Sequence, residues 1–171
     1  CVNATCPNVL HIQELVSQAE QEGRQAVIIG ERHHPEVMGL ASWCTHPLVF
    51  QTPQEVEDWL QSGAFDPETP VTVVAQTTCI RELFESSCKI IKKQCTNAKI
   101  FDTICFATRK RQAEAAEIAA RADAMVVVGD RRSANTQHLA EICRQNCSRV
   151  LQIESADELS TAEFAGCRVA G

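Results

Sequence analysis

QAVIIGERHHPEV, residues 25–37, and MVVVGDRRSANT, residues 125–136, carry the fold. Each begins as an apolar run, reaches a glycine, and passes into a polar loop of similar length. The runs do not alternate apolar with polar residues, so both faces of each predicted strand are covered, as in a parallel sheet. The likeness extends backwards. Cys6 lies 24 residues before Gly30, and Cys105 lies 24 residues before Gly129. It also extends forwards: His34 and Ser133 fall four residues past their glycines, and Glu36 and Asn135 fall six past. A thiol paired with the same polar loop positions, twice over, is the mark of a duplicated unit.

Further apolar runs occur at 48–51 (LVFQ), 71–76 (VTVVAQ), 99–104 (KIFDTI) and 150–154 (VLQIE), and the closing CRVAG also reads as a strand. Helical stretches separate them. Residues 8–22 place Val9, Ile12, Leu15, Val16 and Ala19 on one face, with Gly23 as the stop. Thr52-Pro53-Gln54-Glu55 predicts a capping box, with a helix to Gln61 ending at Gly63. Residues 79–94, 109–122 and 136–146 are the remaining helices. Alternating strands and helices mean an α/β fold with mostly parallel sheets and ligand groups at the strand carboxyl ends. The repeat divides the chain into two similar small three-layer domains, 1–97 and 98–171, the second of them truncated at its carboxyl end. Starting at Cys1 rather than Met, the chain reads as a piece of a longer protein.

The totals exclude several classes. A net charge of −6 argues against a nucleic-acid binder, as does an aromatic content of 5%, too low for stacking bases. No apolar run approaches the ~18 residues that span a bilayer. Ten cysteines in a chain with no secretory signal point to metal or catalysis before a disulfide framework.

Cys6 and Cys105 are each expected just after a short strand (VNAT, FDTI) and just before a helix, where the helix dipole favours a thiolate. Two thiolates do not complete a metal site. Zinc would recruit His33, His34 or another cysteine, whereas an iron–sulfur cluster takes cysteine thiolates and can leave one iron open. A third copy of the repeat would supply a third cysteine. The other cysteines (Cys1, Cys44, Cys79, Cys88, Cys95, Cys143, Cys147 and Cys167) read as structural. His34, Glu36, Ser133 and Asn135 lie near helix starts, where backbone amides attract anions, and Gln76-Thr77-Thr78 ends another strand at the same sheet edge. Thr78, Ser133 and Asn135 could equally be plain helix caps.

Taken together, NATCPNV (3–9), HPEV (34–37) with Gly39, QTT (76–78), TICFAT (103–108) with Arg111 and Gln112, and SAN (133–135) with Thr136 resemble the 4-hydroxy-3-methylbut-2-enyl diphosphate reductase family. Asn3 stands where that family has Asp. The resemblance implies a trefoil of three α/β domains around a 4Fe-4S cluster, with this chain holding the second and third. It implies reductive removal of an allylic hydroxyl to give isopentenyl and dimethylallyl diphosphates, the last step of the non-mevalonate route. Cys6 and Cys105 would be cluster ligands, with the third cysteine outside this chain. His34, Ser133 and Asn135 would hold the diphosphate, Glu36 would deliver a proton, and Thr77 would position the hydroxyl and relay that proton. The implied partners are the diphosphate substrate, an electron donor such as ferredoxin or flavodoxin, and the missing first domain. The implied compartment is bacterial cytoplasm or plastid, and the fragment alone would be inactive. A non-catalytic metal- or anion-binding α/β module is the alternative.

Overall fold

A computed structural model describes residues 2–63 and 65–171, and the chain separates into two compact units, Cys1–Cys105 and Phe106–Gly171. In the first unit the order is α1 (Pro7–Gln21), β1 (Gln25–Ile29), α2 (Pro35–Ala41), β2 (Leu48–Phe50), α3 (Pro53–Gln61), β3 (Val71–Ala75), α4 (Arg81–Gln94) and β4 (Ala98–Ile100). The strands form one sheet in the order β2-β1-β3-β4, every pair parallel. Successive side chains of a strand point to opposite faces, so β1 feeds two cores. Val27 and Ile29 pack with Val56, Leu60, Phe84 and Ile91 from α3 and α4. Ala26 and Ile28 pack with Ile12, Val16, Val37 and Leu40 from α1 and α2. Both faces are thus buried, which is why the strands read as unbroken apolar runs.

Helix ends follow local chemistry. Gly23 and Gly63 take φ of 65° and 73°, the left-handed conformation that stops a helix cheaply only at glycine. The expected capping box forms by half. Thr52 Oγ1 accepts the Glu55 N–H at 3.2 Å, but the Glu55 carboxylate accepts the Gln51 N–H (3.0 Å) and Arg32 Nη2 (3.1 Å) instead of reaching back to Thr52. At the amino end of the sheet the buried Arg24 donates to Thr72 Oγ1 (2.9 Å), Val71 O (2.6 Å), Asn97 O (2.9 Å) and Asn97 Oδ1 (3.2 Å). One guanidinium therefore ties together the starts of β1, β3 and β4.

The second unit contains α5 (Phe106–Ala119), β5 (Met125–Val128), α6 (Ala134–Asn146), β6 (Val150–Ile153) and two short 3-10 helices. β5 and β6 pair in parallel. Its core gathers Ala119, Met125, Val127, Ala140, Cys143 and Cys147, so α5 and α6 cover one face of β5, while Val128 on the other is 66% exposed. The closing residues do run as a strand would: Ala170 bridges Ala124 in the parallel sense, and Val126 N donates to Gly171 O at 2.9 Å.

The repeat is present atom by atom. Gly30 N donates to Phe50 O at the end of β2, and Gly129 N donates to Ile153 O at the end of β6. Arg32 N donates to Gln51 Oε1 (3.0 Å), as Arg131 N does to Glu154 Oε1 (2.9 Å). Arg32 then pairs with Glu55, and Arg131 with Glu158.

Other sequence expectations also differ from the structure. VNAT forms no strand, and the strand expected over 99–104 stops at Ile100, so neither cysteine directly follows one. The first unit extends to Cys105 rather than residue 97, because β4 pairs with β3 and keeps the following segment with the first sheet. Among the described residues, no helix is long and apolar enough to cross a membrane.

Candidate functional site

The carboxyl end of β1 meets that of β3 at Gly30. A Cβ on this residue would fall 2.7 Å from Gln76 Cβ and 2.8 Å from Gln76 Oε1, so only glycine allows the two strand ends to close. Gln76 is fully buried: its Oε1 accepts the Glu31 N–H at 2.9 Å, and its Nε2 donates to Thr78 Oγ1 at 2.9 Å. This sets the loop carrying His34 and Glu36 against the turn carrying Thr77.

His34 is the N-cap of α2, and its Nδ1 accepts the Glu36 N–H at 3.1 Å. An accepting Nδ1 in a neutral imidazole leaves the proton on Nε2, making His34 an uncharged donor. Glu36 turns back over the strand ends. Its two oxygens accept the Thr77 N–H and the Thr77 O–H, each at 2.6 Å, in a two-point clamp on a largely buried threonine. Thr77 spends its one hydroxyl proton on Glu36, so its oxygen lone pairs remain able to accept from a third group. Carboxylate and hydroxyl together form a short proton path.

Both cysteines come to this same corner of the first unit. Phe101 N donates to Val73 O at 2.9 Å, and the Thr103 hydroxyl then takes over the pairing, donating to Ala75 O (2.6 Å) and accepting the Ala75 N–H (2.8 Å). This clamp delivers Cys105 to the turn, where its N–H donates to Thr77 O at 3.0 Å. The Cys105 sulfur accepts Asn8 Nδ2 at 3.4 Å. Asn8 lies in the first turn of α1, the helix that Cys6 caps with its exposed thiol free. Cys6, Cys105, Thr77, Glu36 and His34 therefore share one sheet end. Both cysteines belong to the first compact unit.

Ser133 and Asn135 occupy the equivalent position of the second unit. Ser133 is the N-cap of α6 and accepts the Thr136 N–H at 3.5 Å, the role His34 plays in α2. Asn135 sits half-buried in the first turn, inside the cap, and Thr78 lies ahead of the α4 cap residue, Ile80. Of the three residues that could have been plain caps, only Ser133 is one. Gly129 repeats the close approach: a Cβ there would meet Thr136 Oγ1 at 2.5 Å.

Of the other thiols, Cys79 follows the Thr77 turn, its N–H donating to Gln76 O at 3.0 Å, with its sulfur in the core. Cys79, Cys88 and Cys95 pack in the core with Phe84 and Ile91. Burial pushes the Cys79 and Cys88 thiols up to about 12. Cys143 and Cys147 are buried in the second unit. Among the described residues, no three of His, Cys, Asp and Glu gather as metal ligands. Cys6 and Cys105 remain as a pair of thiols at helix amino ends, a donor set suited to soft metals.

The sequence pattern of the LytB protein family matches residues 1–171. The chain belongs to the LytB family. A 4-hydroxy-3-methylbut-2-enyl diphosphate reductase from Anaeromyxobacter sp. (strain K) is 39% identical over 173 residues, covering 99% of this chain and 59% of the relative. A solved (E)-4-hydroxy-3-methyl-but-2-enyl diphosphate reductase, described as the terminal enzyme of the non-mevalonate pathway, is 32% identical with a TM-score of 0.57, over 99% of this chain and 60% of that one. The E-1-hydroxy-2-methyl-but-2-enyl-4-diphosphate reductase of Plasmodium falciparum shares the fold at a TM-score of 0.90 and 21% identity, over 99% and 53%. The LytB chain thus spans little more than half the length of these relatives.

The QTT and TICFAT motifs contain Gln76 and Thr103 but assign them no role, and no motif singles out Asn8. The signal was present in two cases: Gln76 directly precedes Thr77, and Thr103 lies two residues before Cys105. For Asn8 no pattern in one sequence points across to Cys105.

Proposed function

We propose that this LytB protein carries a 4Fe-4S cluster and reductively removes the allylic hydroxyl of 4-hydroxy-3-methylbut-2-enyl diphosphate. Two electrons and two protons are consumed, water leaves, and isopentenyl and dimethylallyl diphosphates form. The observation that carries this reading is the Glu36–Thr77 clamp at the strand end that also anchors Cys105. Cys6 and Cys105 would each ligate one iron, and the third cysteine would come from outside residues 1–171. When bound, such a cluster supplies electrons and a Lewis-acidic iron for the hydroxyl oxygen.

The protein's own residues supply the rest. Glu36 in its protonated form would deliver a proton to the departing hydroxyl. Thr77 keeps the carboxyl oriented, and with Glu36 protonated its oxygen would accept the carboxyl proton while its own O–H donates to the departing hydroxyl, relaying that one proton. His34, Ser133 and Asn135 would donate to diphosphate oxygens. His34 and Ser133 cap helices and Asn135 lies in a first turn, where the helix dipole supplies positive potential. That would let a chain of net charge −6 hold a strongly anionic substrate. The electron donor would be a small redox protein of the ferredoxin or flavodoxin kind.

Anaerobic reconstitution of the full-length protein with iron and sulfide tests the reading. The expected result is the broad visible absorbance of an iron–sulfur chromophore, lost in Cys6→Ser and in Cys105→Ser. Glu36→Gln should retain the chromophore and lose turnover by at least about a hundredfold, the scale of a removed general acid. Residues 1–171 alone, with two of the needed thiolates, should not turn over. Stoichiometric zinc without a chromophore would overturn this reading in favour of a non-catalytic module held by Cys6, Cys105 and a histidine.

A further inference from the structure

We propose that Asn8 is a positioning residue for Cys105, and that its amide holds the reduction potential of the cluster above the value that Cys105 ligation alone would set. This rests on the cluster assignment proposed above. Asn8 Nδ2 lies 3.4 Å from Cys105 Sγ, a normal length for a donor to sulfur. Both backbones are held in place. Asn8 belongs to the first turn of α1, whose Leu10 N–H donates to Cys6 O at 3.0 Å. Cys105 is fixed through its own N–H to Thr77 O, and two residues earlier by the Thr103 clamp on Ala75. A single side chain thus links the helix capped by one candidate ligand to the sulfur of the other.

The direction of its effect follows from charge. Reduction adds an electron to a cluster whose negative charge is spread over its sulfurs, so an N–H pointed at a ligand sulfur stabilises the reduced state more than the oxidised one. Hydrogen bonds to sulfur are one of the recognised controls on iron–sulfur potentials. The link also restrains the Cys105 sulfur, so its loss should loosen ligation as well as shift the potential.

The test uses the full-length, cluster-loaded protein in an anaerobic redox titration followed by electron paramagnetic resonance. Asn8→Leu keeps the approximate volume and removes the donor, and Asn8→Gln keeps an amide on a longer stem. Asn8→Leu should lower the reduced-to-oxidised ratio at a fixed potential about tenfold, a shift of ~59 mV for one electron. Asn8→Gln should recover part of it. A second readout needs no cluster. In the apo protein, the Asn8 side-chain amide resonance should move in Cys105→Ala and stay in place in Cys6→Ala. A potential in Asn8→Leu that is unchanged or raised would overturn the inference while leaving the cluster assignment standing. If the native protein binds no cluster, the assignment itself fails. In that case an amide resonance indifferent to Cys105→Ala would separately remove the hydrogen bond.

Discussion

Replacing Gly30 by alanine would press on the joint between fold and candidate site. The added Cβ would lie 2.7 Å from Gln76 Cβ, 2.8 Å from Gln76 Oε1 and 3.0 Å from Val37 Cγ2, against the ~3.5–4.0 Å at which carbon atoms rest. Gln76 Cβ is anchored by the backbone just past β3, and the Gln76 amide is committed at both ends to Glu31 N and Thr78 Oγ1. The side chain cannot swing aside without breaking a buried bond. Overpacking of this kind costs about 1–3 kcal/mol, and losing the Glu31 bond adds about 1 kcal/mol. The expected penalty is therefore about 2–4 kcal/mol. Gly39 provides a control of opposite sign. It lies within α2 with nothing inside 4 Å of its would-be Cβ, so Gly39→Ala should stabilise by about 0.5–1 kcal/mol. Tryptophan emission during urea unfolding can read both, because the two tryptophans, Trp43 and Trp59, belong to the first unit. Trp59 is packed against Phe50 and Phe65 at 5.4 and 4.7 Å. With a slope of ~1–3 kcal/mol/M, the Gly30→Ala midpoint should fall by about 1–2 M and the Gly39→Ala midpoint should rise by a few tenths. A Gly30→Ala midpoint at or above the native value, or both variants moving in the same direction, would refute the close-approach argument.

Three further outcomes are expected. Arg24→Ala should destabilise the first unit by about 2–4 kcal/mol in the same urea assay, because it removes the buried guanidinium's bonds to Val71 O, Asn97 O and Thr72 Oγ1. Arg24→Lys should recover less than half, since one ammonium cannot span the fork, and a fully restored midpoint would sink that account. In the native protein at pH 8, an alkylating reagent should modify the exposed Cys6 and spare Cys79 and Cys88 until unfolding, because burial keeps those two protonated. Equal labelling rates in peptide mass spectra would contradict this. The Arg168 and Val169 N–H groups hold the Asp123 carboxyl below its ordinary range. A depressed carboxylate stabilises above its unfolded value of ~3.9, and that contribution fades as pH falls through the lower folded value. Exchange protection of these two amides should thus persist at pH 5 and fade below about pH 4. Protection constant down to pH 2 would show that the carboxylate does not hold the segment.

What the sequence made legible was chiefly what repeats or caps. The runs at 25–29 and 71–75 became central strands because both faces bury apolar residues, and Gly23 and Gly63 ended helices by their positive φ. His34 and Ser133 were found by position after a glycine, and both proved to cap a helix. Contacts between distant segments left no such trace. Glu36 and Thr77 are 41 residues apart, and nothing in either motif says that one carboxylate takes both donors of the other residue. The full box expected at Thr52 failed for the same reason, since Arg32 from a separate loop competes for Glu55.

The repeat divides the chain at residue 97 and the compact first unit ends at Cys105, for a reason that bears on the chemistry. The repeat aligns Cys105 with Cys6, so counting by the repeat assigns everything that leads into Cys105 to the second copy. Hydrogen bonding assigns it to the first: Phe101 N–H, the Thr103 hydroxyl and Cys105 N–H continue the pairing along the end of β3 as far as Thr77. Cys105 therefore ends one sheet's network and immediately precedes α5. A ligand held this way inherits the rigidity of a fully buried strand rather than that of a linker. It also places the sulfur within reach of Asn8 and its backbone on Thr77, so that candidate metal ligand and candidate proton path share one support. Thr103→Val would cut that support while leaving both cysteines in place. If the reasoning holds, it should impair cluster retention in the full-length protein, with Thr103→Ser restoring it. Cluster retention unaffected by Thr103→Val would mean that the thiol is placed by something other than the end of β3.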